Sequence, residues 1–142
     1  MYIFLISIFF SVLFSLQDLK NKKISNILLW TGILVLIIFR IFYHFNYDWK
    51  SVLAAFCFGL FYFLVRLITK KKLGMADVYF GIFQGLCLDF RFYGICVLLE
   101  VLLALIIMNK KLKQGDFPFI PFMALSLNIL LCFCLFGETL WK

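Results

Sequence analysis

At 142 residues, with 65% of them hydrophobic, 20 phenylalanines and a mean hydropathy of +1.08, the chain has too little polar surface to clothe a soluble domain of its size. Its formal net charge of +7 sits in loops between apolar runs and leaves no basic, aromatic-studded surface, which argues for membrane topology and against nucleic-acid binding. The expectation is an all-α polytopic membrane protein, a single domain over residues 1–142 built as a bundle of six transmembrane helices with membrane lipid around it.

A tilted helix needs roughly 20 residues to cross a bilayer. The first apolar run, Tyr2 to Leu16, closes on Asp18 and the cluster Lys20, Lys22 and Lys23. Its positive charge follows the apolar stretch and no small-x-small site comes after it, so it is expected to stay as a helix rather than be cleaved as a signal. The second run, Ile27 to about Phe45, ends beside His44, an interfacial residue among aromatics. Val52 to Ile68 is the third, closed by Arg66, Lys70, Lys71 and Lys72. Leu73 to Leu88 is the weakest span, because only eleven uncharged residues separate Asp77 from Asp89, a length equally suited to a re-entrant segment. Asp77 is expected within the first turn of that helix or just before it. Phe92 to Met108 carries Glu100 near its middle and runs into Lys110, Lys111 and Lys113, and Phe117 to Phe136 is the sixth. Pro121 belongs in the first turn of that last helix, or else kinks it. The runs are continuously apolar, without the alternation of a barrel wall, so helices are preferred to strands.

Ten of the fourteen basic residues fall in the loops after runs one, three and five, on one side of a six-span arrangement. The positive-inside rule makes that side cytoplasmic and puts both termini outside. Asp18 at the end of run one and Asp77 at the head of run four then share the cytoplasmic face, whichever way the chain is inserted. Carboxylates near hydrocarbon are costly and are functional candidates by default. The plainer alternative pairs Asp18 with Lys22 and Asp77 with Lys70 to Lys72 at the interface. Glu100, deeper still, either pairs with another helix or faces a wet cavity. Asp116 reads as a loop acid beside lysines. Asn26 is expected to cap the second helix or to orient Asp18. Cys57, Cys87, Cys96, Cys132 and Cys134 all lie inside apolar runs and read as small buried hydrophobes, with no disulfide framework, metal site or cofactor implied.

The letters around the aspartates carry a resemblance. Asp18 opens D-x-x-x-x-x-I-x-N with Ile24 and Asn26, Asp77 closes Gly74-Met75-Ala76-Asp77, and Pro118, Phe119, Pro121 and Phe122 form FPFIPFMAL before the last run. In that order, and with that helix count, they resemble the type IV prepilin peptidases, membrane aspartyl proteases of the GxGD class. Three positions depart from the family pattern: Ser25 stands where proline is usual, Ala76 replaces the second glycine, and Tyr79 occupies a position that is often lysine. An alanine forced to positive φ at position 76 would cost roughly 1–2 kcal/mol, whereas in ordinary helix it is harmless. The resemblance implies catalysis by Asp18 and Asp77, supporting roles for Asn26 and Gly74, and a prepilin or pseudopilin substrate cut at the junction of its basic leader and apolar helix. Longer relatives carry a Cys-x-x-Cys insert associated with N-methylation; run one here leads straight into the Asp18 loop, so peptidase activity without methyltransferase activity is expected. A noncatalytic membrane scaffold or small transporter, with the aspartates as interfacial anchors, is the alternative.

Overall fold

Continuous apolar runs without alternation leave the backbone one local way to satisfy its polar groups, the i to i−4 ladder. The computed structural model describes residues 2–21, 24–43, 49–69, 73–88, 92–108 and 119–140, and its regular elements there are six α-helices with no strand. They are α1 (Tyr2–Asn21), α2 (Asn26–Tyr43), α3 (Trp49–Ile68), α4 (Met75–Cys87), α5 (Tyr93–Met108) and α6 (Ile120–Leu140). Each expected run is matched by one helix. The expectation of six full spans is not met by length: among the described residues, only α1 is long and apolar enough to cross a membrane by itself, over Phe4–Asn21. Lys22, Lys23, His44, Lys70 to Lys72, Asp89, Lys110, Lys111, Lys113, Asp116 and Pro118 lie outside the described residues.

α4 is the hub. It packs on α1, α2, α3 and α6, most extensively on α3, while α1 pairs with α6 and α2, and α5 with α6. Its 13 residues span about 20 Å, short of the roughly 30 Å hydrocarbon core of a bilayer. A helix that short and apolar all round belongs inside other helices, and from Val78 to Cys87 only Tyr79 and Ile82 are less than fully buried. Small residues make the enclosure possible. A Cβ on Gly85 would stand 2.3 Å from the backbone of Ala55, and one on Gly81 2.3 Å from the Tyr62 ring. On the facing helix, Gly59 leaves the space that Ile82 fills.

The bundle sets polar groups within an apolar core and is greasy outside. Buried positions include Ser7, Ser11, Asp18, Asp77, Gln84, Glu100 and Ser126, while Ile27, Phe42 and Ile68 are 77%, 75% and 80% exposed, with comparable residues along α1, α3, α5 and α6. Apolar surface on this scale is far beyond what a protein leaves in water. The expectation of five buried thiols holds for Cys87 and Cys96 only: Cys57 and Cys134 are partly exposed, and Cys132 is exposed on the outer face of α6, where it lines an open apolar groove of about 580 Å³ with Leu125, Asn128, Ile129 and Phe133.

Candidate active site

Asp77 stands at the third position of α4, where unpaired backbone amides favour a carboxylate. Gly74 precedes the helix as its cap residue, with extended backbone (φ −68°, ψ 158°), and its N–H donates to Asp77 Oδ2 at 2.7 Å. That turns the side chain back over the helix start instead of outward. Ala76 lies in the first turn of ordinary helix, so the missing second glycine of the motif imposes no backbone strain.

Asp18 reaches the same place from the last turn of α1. Below it, Phe14 meets Phe80 and Phe83 edge to face, at 5.8 and 5.3 Å between ring centres. Phe14 is one turn before Asp18 and Phe80 nearly one turn after Asp77, so this clamp sets α1 against α4 just beneath the two acids. Beyond Asp18 the chain turns through buried Ile24, and the Ser25 N–H donates to Gln17 Oε1 at 3.3 Å. Asn26 is the first residue of α2 and exposed; Ser25, one residue earlier, holds the cap position and its carbonyl accepts the Leu29 N–H.

The third element is α6. Its first amide, Ile120 N–H, is a hydrogen-bond partner of the Asp18 carboxyl, whose Oδ2 is buried without one. Ser11 Oγ donates to Asn128 Oδ1 at 2.9 Å and sets this register. Ser11 is seven residues before Asp18 and Asn128 eight after Ile120, which in antiparallel helices is about the same distance, 10–12 Å. Pro121 falls in the first turn of α6, where its missing N–H costs nothing and no kink is needed.

Both aspartates are therefore buried, each 7% exposed, at one end of the bundle, and near enough for the charge of Asp18 to act on Asp77. The groups that act on the Asp77 carboxyl are the Gly74 amide, the Asp18 carboxyl and the Arg66 guanidinium. Arg66, in the last turn of α3, also donates to the Leu73 carbonyl at the start of the Asp77 turn. Two carboxyls held close together ionise less readily as a pair than singly, the arrangement that general acid–base chemistry exploits. Among the described residues no His, Cys, Asp or Glu group of metal-binding size is found.

A second polar centre lies deeper. Glu100, 1% exposed, accepts hydrogen bonds from Tyr62, Gln84, Ser126 and the Cys96 thiol. Of the two sequence alternatives for Glu100, this is pairing with other helices. Sequence reasoning missed the parts played by Ile120, Gln84 and Arg66, since a backbone amide leaves no letter and arginine at a helix end reads as topology.

Neither a curated protein nor a solved structure matches the chain. A family model does, the type IV leader peptidase family, over residues 4–109, which includes both aspartates and stops before α6. With that stretch covering well over half of its length, the chain belongs to the type IV leader peptidase family.

Proposed function

We propose that the protein is a membrane aspartyl endopeptidase that removes the basic leader from type IV prepilins or pseudopilins at the cytoplasmic face, with Asp18 and Asp77 as its catalytic pair. The observation that carries the reading is the meeting of two buried carboxylates from distant parts of the chain at one end of the bundle, each beside a helix-start amide. The ionised member takes a proton from water as it attacks the scissile carbonyl. Its protonated partner donates to the carbonyl oxygen; as the C–N bond breaks, the proton taken from water passes to the departing amine and a hydroxyl of the tetrahedral intermediate returns a proton to the partner. The pair itself supplies both proton transfers.

The apolar outer surface supports a multi-pass location in the bacterial cytoplasmic membrane, with both termini outside and α4 enclosed by the longer helices. In this reading the substrate's apolar helix lies against the bundle and its junction unwinds at the aspartates. No methyl transfer accompanies cleavage.

The test is co-expression of wild type, Asp18→Asn and Asp77→Asn with candidate prepilins, followed by gel shift and intact mass. Wild type is expected to remove the leader and each variant, at equal membrane abundance, to lose at least about 100-fold in rate. Undiminished cleavage by either variant would overturn the two-aspartate mechanism.

A further inference from the structure

We propose that Glu100 is a positioning residue for the catalytic pair, a buried acceptor that fixes at once α3, α4 and α6, three of the four helices that set the two aspartates; this rests on the proposed peptidase chemistry. α5 gives no side chain to the pair, yet it places a glutamate in the interior, where an acid is costly unless it is hydrogen-bonded. Here both carboxyl oxygens have partners. Gln84 Nε2 donates to Glu100 Oε1 at 2.6 Å and Ser126 Oγ to the same oxygen at 2.9 Å, Cys96 Sγ approaches it at 3.3 Å, and the Tyr62 hydroxyl donates to Oε2. The second N–H of Gln84 donates to the Met123 carbonyl at 2.9 Å, tying α4 to α6, and the single Ser126 proton is shared between Glu100 Oε1 and that same carbonyl, 2.8 Å away.

Each arm of this cluster leads to the aspartates along a helix. Gln84 is seven residues after Asp77 on α4, within about 20° of two full turns, so holding Gln84 sets the rotation that aims Asp77. Met123 and Ser126 are three and six residues after Ile120, whose amide meets Asp18. Tyr62 is four residues before Arg66 on α3, and Arg66 holds the Leu73 carbonyl and acts on Asp77. A rotation or slide of α3, α4 or α6 breaks a bond to Glu100 before it misaligns the pair. An apolar residue would fill the same space without choosing a rotation, because leucine packs acceptably in several.

The test compares Glu100→Leu, Glu100→Gln, Gln84→Leu and the Glu100→Leu/Gln84→Leu double variant in full-length protein in proteoliposomes, per folded molecule, against wild type and the two Asp→Asn variants. Glu100→Leu and Gln84→Leu should each lower kcat about 100-fold with KM within about threefold of wild type. The double variant should be no worse than either single change, since both cut one network. Glu100→Gln should keep kcat within about fivefold, because the Tyr62 hydroxyl can accept where it now donates. A wild-type kcat in Glu100→Leu, or additive losses in the double variant, overturns the proposal.

A measurement without substrate keeps the proposal testable if the peptidase reading itself fails. In a chain with its five cysteines replaced (Cys96 by serine) and Asp18→Cys and Asp77→Cys introduced, a short bis-maleimide should bridge the two positions. Adding Glu100→Leu should lower the yield several-fold while Glu100→Gln leaves it. An unchanged yield with Glu100→Leu, or no bridging in the parent, overturns the positioning role. Full activity in Asp18→Asn or Asp77→Asn overturns the catalytic assignment alone.

Discussion

Gly74 has a backbone that any residue adopts, so the absence of its side chain answers to space, not to conformation. A Cβ there would lie 3.1 Å from Asp77 Oδ2, inside ordinary contact, and the carboxylate would have to give way. Gly74→Ala should lower leader cleavage about 10-fold with little change in membrane abundance, measured by gel shift against wild type at matched protein levels. The two acids were legible as residues because acids are rare beside hydrocarbon, and the motif letters ordered them. Their amide partners were not legible, since Gly74 and Ile120 act through N–H groups that any amino acid but proline supplies.

Between helices, the decisive contact is α3 against α4. Gly81 and Gly85 are four apart and meet Tyr62 and Ala55, while Gly59 receives Ile82, so the two backbones approach closely enough to enclose α4. Gly85→Ala places a methyl against the Ala55 backbone and should destabilise the fold by about 2 kcal/mol, read as a lower melting temperature in detergent, whereas Gly94→Ala, with open space around it, should change nothing. The six helices were legible from run length and the weakness of the fourth run from the spacing of Asp77 and Asp89. Which helix sits in the middle was not. Inward and outward faces are both apolar here, so the periodicity that orients a helix in water falls silent. The small residues at 55, 59, 81 and 85 were the available sign, and they are intelligible only once the two helices are paired.

Taken whole, the molecule holds Asp18, Asp77, Gln84, Glu100 and Ser126 within its apolar core and leaves large apolar side chains such as Ile27, Phe42 and Ile68 on its outside. The protein should remain helical and monodisperse in micelles or vesicles and precipitate when detergent is diluted out, followed by sedimentation and circular dichroism; a soluble, monodisperse chain after detergent removal would contradict a lipid-facing exterior. Charge placement in the loops made a common side for both aspartates legible, because topology depends only on counting spans. The closure of α6 on α1 was hidden, since Ser11 and Asn128 are unremarkable letters 117 positions apart. That closure has a consequence for the order in which the fold can assemble. α1 precedes α6 in the chain, so Asp18 is synthesised well before the amide that receives it. In the proposed peptidase the pair reaches its final geometry only once α6 has packed against α1.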